Sequence, residues 1–306
     1  MASKYNITID NKDGGSIIMG DQNQVDIGAG GRVERVRPRN EAFAVPKQPV
    51  GYENVGGSSF IPSMKHKITQ GFALILHNQY FLNDKTPDRV GSEKDVEEIK
   101  KFCKTAGLDI NDTDRETENL KASEMENLCS EISKRDFSRY DGFVCFILSH
   151  GDENGIYGVD DEIISIQKIV SMFRDCTGLA GKPKLFFVQA CRGKNKDMGI
   201  SIDADSRPVN LPKIPLVLPT KSDVLIAHST MEGYESYRNR LHGSWFIITL
   251  MEELQSHAHH MHIMDILTIV NNAISGYKTP EDHKQMPCQL TTLTKFVYFK
   301  YPAPLI

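Results

Sequence analysis

Four short, unbroken apolar runs constrain the fold of this chain more than any other feature. They cover residues 71–77, 142–149, 184–190 and 223–228, and each is bounded by turn-forming or polar residues. A run of this length without polar alternation is typical of a β-strand that is buried on both faces. Such strands occur in parallel sheets that carry helices on both sides.

Amphipathic helical patterns alternate with these runs. In residues 92–106, Val96, Ile99 and Phe102 recur at helical spacing, with acidic residues early and lysines late, as the helix dipole favours. Strands that alternate with helices predict an α/β fold, with a mostly parallel sheet of about six strands and helices on both faces. Further helical patterns cover residues 120–132, 166–173, 243–256 and 261–275. The alternating pattern at residues 295–300 predicts a final strand.

Charge and hydropathy patterning exclude two classes of partner. The 306 residues include 36 basic and 40 acidic side chains, so the formal net charge is −4 and no overall basic field is available to hold nucleic acid or a membrane surface. The longest apolar run, 143–148, is far shorter than the roughly 20 residues of a membrane-spanning helix, and the first residues lack the apolar core of a secretory leader. Six cysteines without a CxxC pair indicate reduced thiols and predict a cytoplasmic protein.

Two segments lack a regular pattern. Residues 1–60 hold nine of the 23 glycines and balanced charge, so they bury too little apolar surface to offset the entropy of ordering and are predicted to be flexible. Residues 192–222 contain four prolines and several aspartates between two predicted strands. A stretch of this length without regular structure inside a domain is typical of a functional or disordered segment.

A thiol and an imidazole follow two neighbouring strands of the predicted sheet. Ser-His150-Gly151 ends one buried run, and Gln-Ala-Cys191-Arg-Gly ends the next. Ligands bind outside the carboxyl ends of the strands in an open parallel sheet, so Cys191 and His150 are expected to face one another. Their pairing would make a thiolate available near neutral pH and supply a general acid for a leaving amine. The N–H groups of Gly151 and Cys191 would form an oxyanion hole.

These residues resemble the catalytic centre of a caspase. The pentapeptide at 189–193 matches the caspase pattern Q-A-C-[RQG]-G, and its histidine lies 41 residues upstream, near the family's spacing of about 50. Segments 243–247 and 286–288 also look caspase-like. The resemblance implies the caspase fold, with Cys191 as nucleophile and His150 as general acid/base. It also implies that a backbone carbonyl near Pro87 orients the imidazole, and that neither a cofactor nor a metal is needed.

The same resemblance implies a pocket that binds an aspartate side chain. This aspartate is the P1 residue, which precedes the scissile bond, and its pocket is S1. Arginine suits a carboxylate because its guanidinium binds both oxygens and stays charged. The family's two S1 arginines fall on Arg89 and Arg238, and Gln189 completes the pocket. Other residues expected to line the substrate cleft are Ser149, Ser236, Tyr237, Asn239 and Trp245.

Caspase-like organisation implies activation by cleavage. The expected parts are a flexible prodomain at 1–60, a large subunit at 61–203, a processed linker at 204–222 and a small subunit at 223–306. Asp203 and Asp205 are the candidate processing sites, and Asp197 is ranked below them because it lies close to Cys191. Two large/small pairs would form a homodimer through the exposed final strand. The short prodomain indicates an executioner in apoptotic signalling, whose partners are protein substrates, an upstream caspase and inhibitor-of-apoptosis proteins.

Alternatives to this interpretation differ in one feature each. A metacaspase, which cuts after Arg or Lys, would need acidic residues where Arg89 and Arg238 stand. A non-enzymatic scaffold would not need both Cys191 and His150. The histidines at 257, 259, 260 and 262 suggest a zinc site less well than a solvated loop, because no acidic or cysteine ligand accompanies them.

Residues 17–28 suggest a second activity. Gly20 and Gly28 follow apolar residues on either side of a Gln/Asn-rich centre. This resembles amyloid-forming signalling motifs, since Asn/Gln ladders and β-branched residues suit cross-β stacking. A disordered leader is the alternative, and a 1–60 peptide that stays monomeric and thioflavin-negative at high concentration would decide for it.

Overall fold

The chain forms two compact units, Met1–Ser59 and Phe60–Ile306. The computed structural model describes residues 64–110, 117–198 and 222–303, together with four short strands in the N-terminal unit. Among the described helices, none has both the length and the apolar character that crossing a bilayer requires.

The N-terminal unit contains two antiparallel strand pairs. Strand β1 (Ile7–Asp10) pairs with β2 (Ser16–Met19), and β3 (Asp26–Ile27) pairs with β4 (Val33–Glu34). Strands β2 and β3 fall on the two apolar stretches of the suggested self-assembly motif, whose Gln/Asn-rich centre lies outside the described residues. The flexible prodomain and its self-assembly remain predictions.

The second unit contains a central sheet, flanking helices and several shorter sheets. Its helices are α1 (Ser92–Ala106), α2 (Ala122–Ile132), α3 (Ile166–Arg174), α4 (Trp245–His257) and α5 (Ile263–Ser275), with a short 3₁₀ helix at Thr177–Leu179. Its strands are β5 (Lys65–Ile68), β6 (Gly71–His77), β7 (Leu108–Ile110), β8 (Gly142–Leu148), β9 (Gly151–Asp152), β10 (Gly155–Tyr157), β11 (Ile163–Ile164), β12 (Lys184–Gln189), β13 (Val224–His228), β14 (Arg238–Asn239), β15 (Gly243–Ser244), β16 (Cys288–Thr291) and β17 (Phe296–Phe299).

The central sheet has six strands in the order β16-β13-β12-β8-β6-β7. Every neighbouring pair is parallel except β13 and β16. The four predicted apolar runs form β6, β8, β12 and β13, and all their residues are buried. The predicted mostly parallel sheet of about six strands is therefore confirmed.

Helices cover both faces of this sheet because successive strand residues point to opposite sides. Val144 and Phe146 of β8 pack with α1, α4 and α5 in one core cluster. Phe143 and Cys145 of the same strand pack with α2 and α3 in a second cluster. The strands are thus buried on both faces, which explains why their sequences show no polar alternation.

The final strand pairs within the chain. Strand β17 runs parallel to β5, and its Val297 and Phe299 are buried. The strand is therefore only partly exposed, and β5 occupies one of its edges. Pairing of residues 295–301 across a twofold axis stays a prediction. One edge strand of the six-stranded central sheet is β16, whose Leu290 is 58% exposed.

The histidine cluster lies between α4 and α5. Nε2 of His257 is 3.3 Å from a carboxylate oxygen of Glu253, and the Nδ1 atoms of His259 and His260 are 3.3 Å apart. His262 is buried, and its Nδ1 accepts the N–H of Val297 at 2.9 Å. The solvated-loop interpretation is therefore wrong for His262, which anchors β17. Within the described ranges, no three ligand-type side chains are placed to hold a metal ion.

Candidate active site

The ends of β8 and β12 bring the predicted catalytic residues together. Leu148 of β8 pairs with Gln189 of β12 in parallel register. His150 and Cys191 each lie two residues beyond this pair, at equivalent positions on strands that are about 4.8 Å apart. The register therefore brings residues 150 and 191 to neighbouring positions beyond the carboxyl edge of the sheet.

The imidazole of His150 is held from two sides. Its Nε2 lies 2.8 Å from the carbonyl oxygen of Pro87, which only accepts hydrogen bonds. Nε2 therefore carries the proton, and Nδ1 is left to accept one. The ring of Phe81 packs against the imidazole with centroids 4.9 Å apart. The Pro87 carbonyl orients the imidazole, as the caspase resemblance implied. The contact with Phe81 could not be predicted from the sequence.

The thiol of Cys191 contacts the segment after β13. Its Sγ accepts the N–H of Ser236 at 3.4 Å and lies 3.8 Å from the carbonyl oxygen of Ser236. Gly151 packs beside it, because a Cβ there would lie 3.0 Å from the Cys191 carbonyl oxygen and 2.6 Å from that of Gly155. Only glycine allows this close approach of the two backbones that carry the expected oxyanion N–H groups.

Burial shifts both catalytic groups toward their neutral forms. It raises the pKa of the Cys191 thiol, although the Ser236 N–H acts in the opposite direction. It also lowers the pKa of His150, against the effect of the Pro87 carbonyl. Burial therefore favours a thiol and a neutral imidazole in the free site. The expected thiolate, which depends on the pairing of the two groups, stays a prediction.

Arg89 and Arg238 lie beside this pair. Arg89 is fully buried, and its Nη1 donates to the carbonyl of Asn78 at 3.0 Å. Arg238 is partly exposed, and its Nε donates to the carbonyl of Val90 at 3.1 Å. Both guanidinium groups act to lower the pKa of Cys191, so both are within electrostatic reach of its sulfur.

Gln189 and Ser236 join the end of β12 to the segment that contacts the thiol. Gln189 is buried, and its side-chain amide donates to the Ser236 hydroxyl at 2.8 Å. The side-chain oxygen Oε1 of Gln189 has no partner in the part of the chain that the structure describes. One buried acceptor is therefore left over, and the assignment of Gln189 and Ser236 to the substrate pocket stays a prediction.

Tyr237 and Trp245 form an aromatic wall. Their ring centroids are 5.3 Å apart, and Tyr277 packs edge-on against Trp245 at 5.5 Å. His283 stacks on Tyr237 at 6.4 Å, and the Tyr237 N–H donates to Gln285 at 2.7 Å. Sequence reasoning did not find Tyr277, His283 or Gln285, since they come from an irregular segment beyond α5.

Two predicted cleft residues use their side chains elsewhere. The Ser149 hydroxyl donates to the carbonyl of Tyr157 at 2.6 Å, which ties β8 to β10. The side-chain oxygen Oδ1 of Asn239 accepts the N–H groups of Leu241 and His242 at 2.8 and 3.2 Å. These bonds close the turn between β14 and β15. Ser149 is only 2% exposed, so it stabilises the fold and does not line the cleft. Asn239 is exposed, and its place in the substrate cleft stays a prediction. The processing candidates Asp203 and Asp205 lie outside the described residues.

Comparison with known proteins agrees with this geometry. The family model described as "Caspase domain" matches residues 70–298, which is most of the chain. This chain belongs to the caspase family. It is 37% identical to caspase-3 of Bos taurus over 240 residues, covering 75% of this chain and 84% of the relative. It is 34% identical to caspase-6 of Gallus gallus over 263 residues, covering 79% and 85%.

A solved caspase structure extends the likeness to three dimensions. The crystal structure of caspase-1 from Spodoptera frugiperda aligns with a TM-score of 0.67 and 30% identity, covering 80% of this chain and 94% of that one. The caspase-like α/β fold is therefore confirmed. Family membership identifies this chain as a caspase-type cysteine protease that acts on protein substrates.

Proposed function

We propose that this caspase hydrolyses peptide bonds after aspartate through a thioester on Cys191. The Cys191 proton passes to Nδ1 of His150 as the sulfur attacks the scissile carbonyl. His150 then gives that proton to the leaving amine, and the acyl group stays on the sulfur. Water adds to the thioester with His150 as base, which releases the acid and restores the thiol. This sequence starts from a thiol and a neutral imidazole, the protonation states that burial favours in the free site.

The observation that carries the aspartate specificity is the state of Arg89. Its Nε and Nη2 atoms are buried and have no hydrogen-bond partner among the described residues. A buried guanidinium with two unpaired donors is costly unless an anion completes it. A P1 carboxylate supplies that anion, with Arg238 as a second cation beside it.

The two rival functions meet specific obstacles. A metacaspase-like preference for Arg or Lys would place a third cation next to Arg89 and Arg238, which already lower the pKa of His150 by their charge. A scaffold without activity would not need the Pro87 carbonyl to fix the tautomer of His150 at 2.8 Å. Both features support a peptidase that binds an acidic side chain.

Reporter peptides that differ only at P1 test this proposal. We expect the purified caspase to cleave the Asp reporter, with the Asn and Arg reporters at least about 10²-fold slower in kcat/KM, because neither replaces the carboxylate. Cleavage after Arg in preference to Asp would support the metacaspase alternative. No cleavage of any reporter by linker-processed protein would support the scaffold.

We also propose the biological setting by analogy with the relatives. The caspase would act in apoptotic signalling, as a zymogen cleaved at Asp203 or Asp205 by an upstream caspase or by its own kind. Inhibitor-of-apoptosis proteins would be partners. All six cysteines are free, which supports the cytoplasmic location.

Each large/small pair would join a second one along the open edge of β16, rather than along β17.

A further inference from the structure

Asp95 is a buried acid beside the two arginines, and the reaction above does not use it. It lies in the first turn of α1 and is fully buried. Its Oδ1 accepts the N–H of Ser244 at 2.7 Å, and its Oδ2 accepts the Ser244 hydroxyl at 2.6 Å. These two bonds join segments that are 149 residues apart in the chain.

Ser244 is the strand partner of Arg238. In the β14–β15 pair, Arg238 lies opposite Ser244 and Asn239 lies opposite Gly243. Gly243 has φ of +94°, and a Cβ there would lie 2.5 Å from Oδ1 of Asp95. Glycine is therefore needed for the Asp95 carboxylate to reach the Ser244 amide. Through Ser244, Asp95 fixes the hairpin from which Arg238 extends.

The segment that carries Arg89 meets the same hairpin. Arg238 donates to the carbonyl of Val90 at 3.1 Å. Gly91 has φ of +92°, and a Cβ there would lie 2.6 Å from the carbonyl oxygen of Arg240. The two arginine-bearing segments therefore contact each other directly, and Asp95 stands one helical turn behind that contact.

Charge gives Asp95 a second effect. Arg89 and Arg238 repel each other, and burial together with Arg238 lowers the pKa of Arg89 to about 9. Asp95 is the carboxylate that most opposes these effects on both arginines. Burial raises the pKa of Asp95 itself, and the two hydrogen bonds from Ser244 act against that rise. As a carboxylate, Asp95 offsets part of the positive charge of the two guanidinium groups.

We propose that Asp95 is a positioning residue of the S1 pocket. Its carboxylate holds Arg238 in place through Ser244 and offsets part of the charge repulsion between Arg89 and Arg238. This inference rests on the proposed function, because it assumes that the two arginines bind P1 aspartate. It adds a specificity-determining residue that touches neither the substrate nor the thiol.

The test uses Asp95→Asn in the full-length, linker-processed protein. We expect KM for the Asp reporter to rise about tenfold with kcat within about threefold, because an amide keeps the shape but loses the charge and one acceptor. Iodoacetamide alkylation of Cys191, which needs no S1 pocket, should proceed at the wild-type rate. The matched control is Glu97→Gln, which neutralises an exposed carboxylate on the same helix and should change neither value.

Ser244→Ala keeps the test decisive if Asp95→Asn folds poorly. It retains the charge and removes one hydrogen bond, so we expect a KM increase of about threefold. Adding Asp95→Asn to an Arg238→Lys chain should raise KM by much less than tenfold, since both changes act on one group. A role in folding alone would lower the fraction of active protein and leave KM per active site unchanged.

Two failures can be told apart. If wild-type protein prefers the Asp reporter but Asp95→Asn and Ser244→Ala both keep its KM, the role of Asp95 is wrong and the proposed function stands. If wild-type protein does not prefer the Asp reporter, the proposed function itself fails.

Discussion

The catalytic pair and the S1 pocket share one edge of the sheet but are assembled differently. His150 and Cys191 follow adjacent parallel strands, so the strand register alone sets their spacing. Arg89 comes from the loop before α1 and Arg238 from β14, and their segments meet through contacts between the start of α1 and the β14–β15 hairpin. The spacing of the pair is therefore set by the central sheet, whereas the pocket depends on a few polar contacts.

This difference separates rate from recognition. Changes at the strand ends should remove chemistry and leave peptide binding, since the arginines do not depend on the thiol for their position. Changes at the hairpin should weaken binding of the P1 aspartate and leave the thiol reactive. The variants below test this separation, beginning with the largest expected effect.

Cys191→Ala should reduce turnover by roughly 10³-fold or more, because no other group can form the thioester. Binding of a P1-Asp peptide aldehyde should lose only the covalent contribution, and binding of the corresponding Asp product peptide should be unchanged. Cys176→Ala, at a partly exposed thiol remote from the strand ends, is the matched control and should keep full activity. Turnover by Cys191→Ala near the wild-type rate would remove Cys191 from the chemistry.

Arg238→Ala should lower kcat/KM on the Asp reporter by about 10²-fold, because the carboxylate loses charge-assisted hydrogen bonds worth ~3 kcal/mol in total. The neighbouring Arg240→Ala, at an exposed side chain of the same hairpin, should change it little. If the two variants behave alike, Arg238 does not belong to S1. If Arg238→Ala also slows iodoacetamide alkylation of Cys191 to the same extent, pocket and catalytic pair are not separable.

Cleavage of the linker should change the S1 pocket more than the catalytic pair. The cut separates the fragment that carries Cys191 from the fragment that carries Arg238. We expect Asp203→Ala/Asp205→Ala to stay as one chain and to lose part of its activity on the Asp reporter. Intact-mass measurement of active wild-type protein should show a large fragment that ends at one of these aspartates. Fragments that end elsewhere, or full activity of the uncleaved variant, would contradict the processing assignment.

The acid limb of the pH profile should report the protonation of His150. His150 must be neutral to accept the thiol proton, and burial lowers its pKa from 6.5. Activity should therefore be lost only as pH falls through a value below 6.5, and Arg240→Ala should not move that limb. Alkylation of the free enzyme should still be rising at pH 9, because burial raises the pKa of Cys191 above 9.0. An acid limb above pH 7 would contradict this assignment.

Sequence patterns predicted the parts of the molecule whose structure depends on residues that are close together in the chain. Buried parallel strands have continuous apolar sequences, and His150 and Cys191 follow two of these runs directly. The same runs therefore predicted both the sheet and the position of the catalytic pair. The arginines were found only through the family resemblance, since each alone looks like a surface charge. The likeness could not reveal where hydroxyl groups form their bonds, so Ser149 was assigned to the cleft although it is buried against β10.

Other parts of the site had no sequence signal. Strands β14 and β15 have two residues each, too short for any periodicity. Asp95 looks like an ordinary acidic residue of a first helical turn, and only its burial and its bonds to Ser244 distinguish it. Phe81 is likewise identified only by its contact with His150. Such residues are defined by contacts between distant segments, which a local pattern does not record.

One labelling experiment tests the central claim most directly, because it reads the thiol and the pocket together. Two peptidyl ketone electrophiles that differ only in P1 Asp or P1 Asn are offered to the linker-processed caspase, and adducts are located by mass. We predict that the Asp ketone modifies Cys191 about 10²-fold faster than the Asn ketone. The ratio should approach one in Arg238→Ala while iodoacetamide labelling persists. Equal rates for the two ketones in wild-type protein, or an adduct on another cysteine, would contradict the account.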